Sequence, residues 1–274
     1  TEATTGAAHA QGSDTDSTWG GAGITFPRIQ GADVCGIVEG VGAGVSEALI
    51  GKRVITDNWL RDASDPDNMD KTGYYGSERD GGYAEYTTLP LTNIGVITCD
   101  LSDAELATFS CSYTTAEGML NRANVTPRER VLITGASGGV GSALIQLVKR
   151  RGAMAIAMAS ESKHDALQAL EPDALLPRSP EDLPAALEAA TGHRDVTVVA
   201  DVVGGPFFTN LINALARGGR YTCSGAIAGP IVALDLRTFY LRDLTFTGST
   251  VVAPHVFTDL IGYIERGEIK PLVA

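Results

Sequence analysis

The sequence predicts an α/β chain in two parts: a β-rich domain over residues 1–100 and a doubly wound parallel sheet over residues 101–274. Three observations predict it. A glycine-rich turn at 135–141 joins an apolar strand to an amphipathic helix. From residue 101 onward, strand-like and helix-like segments alternate, as repeated βα units do. Before residue 100 the chain shows short apolar runs cut by Gly, Pro and Asp, the texture of a small β-domain.

Bulk properties narrow the function. A chain of 274 residues that is 44% hydrophobic has ample material for a packed core. Thirty-two glycines against 6% aromatics suit a fold with many tight strand–helix turns. The net charge of −12 repels phosphate backbones, which excludes nucleic acid as the expected partner and leaves a small-molecule substrate. No apolar stretch approaches the roughly 18 residues that span a bilayer, and the opening residues are small and polar, unlike a signal peptide. Cys35, Cys99, Cys111 and Cys223 show no C-x-x-C spacing, so neither a zinc ribbon nor a redox dithiol is expected. Four scattered thiols fit a reducing compartment, and the cytoplasm is the expected location.

The elements follow in order. Residues 1–23 are rich in Thr, Ala, Gly, Ser and Asp and are expected to form a loop. Strands are expected at 34–38, 53–56, 83–87 and 94–97, with an exposed and polar loop over 58–79. Ser102, followed by Asp103 and Glu105, has the pattern of an N-cap with an acidic first turn. Beyond it, strands are expected at 130–134, 153–159, 196–201, 220–224 and 244–248. Helices are expected at 140–150, 163–170, 181–190 and 208–216.

The segment VLITGASGGVG (131–141) is the strongest motif. Gly138 would let the backbone approach a pyrophosphate closely, and Gly141 would let helix and strand pack together. The start of the following helix offers unpaired N–H groups and the positive end of its dipole. Ala136, Ser137, Gly138, Gly139 and Val140 are therefore expected to cradle a dinucleotide in a Rossmann-type unit, although Ala136 replaces the first glycine of G-x-G-x-x-G.

The end of the next strand bears on which dinucleotide. An NAD site usually places Asp or Glu there for the ribose 2′-hydroxyl. Here Ala159 is followed by Ser160, Glu161, Ser162 and Lys163. Ser160 and Lys163 are candidates for holding a 2′-phosphate, and Arg178 is a third. NADPH is accordingly expected in preference to NADH. The alternative stays open that Ser160 only caps a helix and Lys163 is solvated, since Glu161 would repel a phosphate.

Several ordered stretches resemble the medium-chain dehydrogenase/reductase superfamily, in particular its zinc-free quinone oxidoreductase-like branch. They are PRIQGADVCGIVEGVG (27–42), GKRV (51–54), GGYAEY (81–86), CSYTT (111–115), DVVG (201–204) and GGR (218–220). The resemblance implies a GroES-like catalytic domain, at least in part, before the Rossmann domain, with the active site in the cleft between them. It implies that Thr115 packs near the nicotinamide, that Val202, Val203 and Gly204 flank the cofactor, and that Ser224, Gly225 and Ala226 run along it. Members commonly pair into homodimers through an edge strand, and LTFTGS (244–249) is the candidate, unless that strand is an internal one.

Zinc members of the superfamily take one ligand from a Gly-His-Glu segment. The corresponding residues here are Gly31, Ala32 and Asp33, so the imidazole is missing. The four close cysteines of a structural-zinc lobe would fall at 58–79, which holds no cysteine. Cys111 occupies another ligand position, but a catalytic site normally needs three protein ligands. His9, His164, His193 and His255 lie outside every motif. No zinc is expected. Without it, an enolate or phenolate oxygen formed on the substrate needs another stabilising group, and Tyr74, Tyr75 and Tyr113 are the candidates. Trp59 with its neighbouring tyrosines would alternatively form an aromatic wall, or simply pack the loop.

Against the family pattern, strands expected before Pro27 and after Pro271 are missing, and the sequence is expected to be a piece of a longer chain. The expected activity is NADPH-dependent hydride transfer to a quinone or an α,β-unsaturated carbonyl. An alcohol or aldehyde dehydrogenase with an atypical metal site, and a nucleotide-binding module without catalysis, are the alternatives.

Overall fold

Six apolar strands of the second half align in one parallel sheet. They are β6 (Arg130–Ile133), β7 (Met154–Ala159), β8 (Ala174–Pro177), β9 (Val196–Asp201), β10 (Leu215–Cys223) and β11 (Thr245–Gly248). Their order across the sheet is β8-β7-β6-β9-β10-β11, and every neighbouring pair runs parallel. That is the doubly wound Rossmann order, which reverses direction between β6 and β9. β6, β7 and β9 are almost wholly buried, so they read as continuous apolar runs rather than as alternation.

The computed structural model describes residues 24–272. The loop expected over 1–23, and His9 within it, lie outside the described residues. The chain divides into two compact units, Thr1–Cys111 and Ser112–Ala274.

In the second unit, helices α3 (Gly139–Arg150), α4 (His164–Gln168), α5 (Leu183–Thr191) and α6 (Phe208–Ala214) connect successive strands. Helices α7 (Leu236–Leu241) and α8 (Pro254–Glu265) complete the set, and neither is marked clearly in the sequence. A core of Leu132, Ile156, Leu187, Val199, Leu211 and neighbours seals strands against helices. At roughly 25 cal/mol per Å² of buried apolar surface, it is the main term holding the unit together.

The helix expected at 163–170 is split into a 3-10 turn over Glu161–Lys163 and the short α4. β10 begins earlier than expected, at Leu215. Arg217, Gly218 and Gly219 look like a turn but sit in the strand as an irregularity, where the register with β9 shifts between Leu215 and Arg220.

In the first unit, β1 (Cys35–Ile37), β2 (Arg53–Thr56) and β5 (Ile94–Val96) form an antiparallel sheet in the order β1-β2-β5. β3 (Trp59–Leu60) pairs with β4 (Gly73–Tyr74) as a separate ribbon. Helix α1 (Asp103–Ala107) starts as the sequence indicates. Ser102 Oγ accepts from Glu105 N, and Glu105 Oε2 accepts from Ser102 N at 2.8 Å, a complete capping box. Helix α2 (Phe109–Arg122) follows, and from Ser112 on it belongs to the second unit.

Two expectations for this unit need correction. Residues 83–87 form no strand, because both faces of the segment are exposed and it has no ladder partner among the described residues. Alternation without a buried face gives a strand nothing to pack against. Residues 58–79 are not exposed throughout. Asn58, Trp59, Tyr74 and Tyr75 are buried, and the exposed residues lie in the middle of the segment and at its end, at Glu78 and Arg79.

Candidate functional site

The Rossmann strands deliver five loops to one edge of the sheet, the edge formed by the strands' carboxyl ends. Following the sheet order, Arg178 follows β8, Ser160 and Lys163 follow β7, and residues 136–140 follow β6. Val202, Val203 and Gly204 follow β9, and Ser224, Gly225 and Ala226 follow β10. This is the edge at which doubly wound sheets bind ligands, with the crevice at the reversal between β6 and β9.

The glycine-rich turn is open. Ser137, Gly138 and Gly139 are exposed, whereas Ala136 and the strand behind it are buried. α3 begins at an N-cap glycine, Gly138, with no side chain bonded to its first N–H groups. Those donors are left for an anion, and the helix dipole favours one.

The two glycines of the turn serve different needs. A Cβ on Gly141 would stand 2.3 Å from the Gly135 carbonyl oxygen, so only glycine lets the helix sit this close to the turn. A Cβ on Gly138 would meet nothing nearer than 3.4 Å, and its φ of −84° suits any residue. Among the described residues nothing requires Gly138 to lack a side chain. That is the signature of a cradle that a ligand fills, and the residues present fit a pyrophosphate.

The β7 loop ends without a carboxylate at its first position. Ala159 is 4% exposed, and the exposed Ser160 and Lys163 follow it. Ser160 Oγ lies 3.4 Å from Ser162 Oγ and does not cap the turn. Neither Lys163 nor Arg178 has a salt-bridge partner among the described residues, and both are exposed.

Beyond β9 the DVVG stretch carries a feature whose partners the motif did not reveal. The Asp201 carboxylate is fully buried. It accepts hydrogen bonds from Thr134 Oγ1, from Tyr221 Oη at 2.7 Å, and from the backbone N–H groups of Val203 (2.8 Å) and Gly204 (3.2 Å). Burial and the adjacent Asp201 charge push the Tyr221 hydroxyl far above its ordinary pKa, so it stays a donor. A lone Asp closing the apolar run VTVVAD (196–201) was the available signal.

The tyrosine candidates separate. Tyr113, on α2, donates to the Lys270 carbonyl at 2.6 Å and accepts from Gln146 Nε2 at 2.9 Å. Its hydroxyl thus ties the C-terminal segment to α3, and burial raises its pKa to about 12. Thr115 lies half-buried on the same helix. In the first unit, Tyr75 is fully buried with its hydroxyl on Thr87 Oγ1. Tyr74 is 8% exposed, and its hydroxyl accepts from Asn58 Nδ2 at 3.3 Å. Burial, and then the Cys111 thiol beside it, hold the Tyr74 pKa well above the usual value. Trp59 packs edge-on against Tyr74, with ring centroids 4.7 Å apart, so these rings fill the interior instead of forming an open wall.

The positions where zinc relatives carry metal ligands have been put to other use. Asp33 Oδ1 accepts the backbone N–H of Cys111 at 2.8 Å, and Ala32 offers only its carbonyl, which accepts from Thr56 Oγ1 at 3.3 Å. Among the described residues no group of three or more His, Cys, Asp and Glu is arranged to hold a metal ion. His164 Nε2 sits 3.2 Å from the Ala159 carbonyl oxygen.

Comparison with known proteins agrees with this layout. Residues 4–98 match the alcohol dehydrogenase GroES-like domain, and residues 139–266 match the zinc-binding dehydrogenase family. A solved structure of a candidate alcohol dehydrogenase from Sinorhizobium meliloti 1021 is 50% identical, with a TM-score of 0.88 over 94% of this chain and 72% of that one. The acryloyl-coenzyme A reductase of Metallosphaera sedula is 28% identical over 92% of this chain and 76% of its own length. A cobalt- and zinc-bound thermostable alcohol dehydrogenase from Pyrobaculum aerophilum is 29% identical, with a TM-score of 0.77 over 89% of this chain and 73% of that one. With a GroES-like domain followed by a Rossmann sheet, and with these likenesses across both, the chain belongs to the medium-chain dehydrogenase/reductase superfamily of NAD(P)-dependent oxidoreductases.

Proposed function

We propose that the chain reduces α,β-unsaturated carbonyls or quinones with NADPH in preference to NADH, and that it does so without a catalytic metal. The observation that carries this is the missing imidazole: Ala32 stands where the resemblance places a ligand histidine and has no donor to give, and among the described residues no group of three or more His, Cys, Asp and Glu is arranged to hold a metal ion. A zinc ion does not fit these residues, and no step is routed through one. The preference for NADPH is supported by Ala159 in place of an acidic residue and by the unpaired cations of Lys163 and Arg178 at the same edge.

In this scheme residues 136–140 and the start of α3 hold the pyrophosphate, and Ser160, Lys163 and Arg178 hold the 2′-phosphate. Val202–Gly204, Ser224–Ala226 and Thr115 border the nicotinamide, as the family resemblance implies. The bound dinucleotide supplies the hydride. On the substrate side, hydride reaches the β-carbon, the double-bond electrons move to the carbonyl oxygen, and an enolate forms that takes its proton at the α-carbon. The tyrosines considered for that oxygen are each engaged elsewhere: Tyr113 with Lys270 and Gln146, Tyr75 with Thr87, and Tyr74 with Asn58. The likeness to an acryloyl-coenzyme A reductase is consistent with conjugate reduction.

An alcohol dehydrogenase reading has its own support, the likeness to the cobalt- and zinc-bound enzyme from Pyrobaculum aerophilum. Turnover separates the two. The protein is expected to oxidise NADPH with enones or quinones, and more slowly with NADH. Turnover of alcohols or aldehydes alone, dependent on added zinc, would establish the other reading.

A homodimer formed through β11 is also proposed. β11 lies at the edge of the sheet. Near it in sequence, Ile227, Ile231, Leu236, Tyr240 and Leu241 are exposed, with Ile231 at 88%. Such a concentration of exposed apolar side chains beside an open strand edge favours pairing.

A further inference from the structure

We propose that Asp201, held by Thr134 and Tyr221, is a positioning residue for the nicotinamide half of the dinucleotide. The inference rests on the reading that the β6–β9 crevice takes that cofactor, and it assigns a shared role to three side chains that lie in separate segments of the sequence.

Thr134 follows β6, Asp201 ends β9 and Tyr221 lies in β10. The parallel register brings them together at the reversal of the sheet, where the crevice opens. Burying a carboxylate is costly unless donors surround it. Here two hydroxyls and two backbone N–H groups do so, and among the described residues no cation joins them. Thr134 Oγ1 also accepts the N–H of Val202 at 3.1 Å, so three consecutive N–H groups, from Val202 to Gly204, are fixed by this one cluster.

The turn so fixed has a shape that glycine adopts readily and other residues do not. Gly204 and Gly205 both have positive φ, at 62° and 71°. The turn in turn locks the loops on either side. Val203 O accepts from Ala228 N at 2.8 Å, and Asp201 O accepts from Ser224 N at 3.1 Å. On the other side, a Cβ on Gly135 would stand 2.9 Å from Val202 Cγ2 and 3.1 Å from Val203 Cγ2, so those valines abut the phosphate-binding turn. Asp201 is therefore the common anchor of the loops after β6, β9 and β10. The three backbone donors it gathers all belong to the loop after β9, one of the two that border the crevice.

The test compares two ligands on the full chain: NADPH, and 2′-phospho-ADP-ribose, which lacks the nicotinamide. Tyr221→Phe removes one donor, and Thr134→Val removes a hydroxyl that bonds both Asp201 and Val202. For each, NADPH affinity should fall about tenfold, as expected for losing a hydrogen bond to a charged group. Affinity for the nicotinamide-free ligand should change less than about twofold. Thr134→Ser, which keeps the hydroxyl, should restore NADPH binding, and this guards against misfolding as the cause. Equal losses for both ligands, or no loss for either, would overturn the proposal while leaving the cofactor reading intact. If the unaltered chain binds neither ligand, the cofactor reading itself fails, and the proposal with it.

Discussion

In the proposed function Lys163 is the side chain on which the choice between the two dinucleotides turns most directly. It stands exposed just past β7, with no ion-pair partner among the described residues, close in sequence to Ser160 and to Glu161. A lysine held in a structural salt bridge would have been unavailable to a phosphate, and this one is not so held. Lys163→Glu should weaken NADPH binding roughly tenfold and leave NADH within about twofold. The difference should shrink as salt rises, because the site is open to solvent. Paired titrations with the two cofactors measure this, and equal losses for both would remove Lys163 from the 2′-phosphate site.

The β6–turn–α3 element was legible in the sequence because each of its parts is local. Apolar residues make the strand, glycines make the turn, and 3.6-residue periodicity makes the helix, all within about twenty residues. The structure adds the distinction between Gly138 and Gly141. Gly138→Val should leave the melting temperature nearly unchanged and cost at least tenfold in dinucleotide affinity, since its side chain would project where a pyrophosphate lies. Gly141→Val should instead destabilise the fold by a few kcal/mol, because its Cβ has no room. Thermal unfolding together with cofactor titration distinguishes them, and a Gly138 variant with undiminished affinity would refute the cradle.

Other elements were harder to read for identifiable reasons. Residues 83–87 have the alternation of a strand but no buried face, and composition alone does not reveal which faces are covered. Thr134, Asp201 and Tyr221 are dispersed over nearly ninety positions and meet only through the parallel register, so no spacing rule could have joined them. Tyr113 looked like a free acid in a family motif, whereas its hydroxyl is spent on Lys270 and Gln146.

At the scale of the molecule, the fold accounts for what the chemistry needs. The sheet order places a cation-bearing loop, a phosphate-binding turn and a firmly anchored turn in sequence along one edge. Among the described residues no helix is long and apolar enough to cross a membrane. The other edge of the sheet that matters is β11. If it pairs with a second copy, sedimentation should give twice the monomer mass, and Gly248→Pro, at a position whose N–H faces away from β10, should return the protein to a monomer. A wild-type protein that sediments as a monomer at micromolar concentration would remove the dimer from the account.

In the proposed function NADPH-driven reduction proceeds without a metal, since Ala32 stands where the resemblance places a ligand histidine. The most direct measurement is NADPH oxidation with an enone or quinone by protein treated with a chelator, with zinc content determined on the same sample. The account predicts full turnover at far less than one zinc per chain. Turnover that vanishes on chelation and returns with stoichiometric zinc would contradict it.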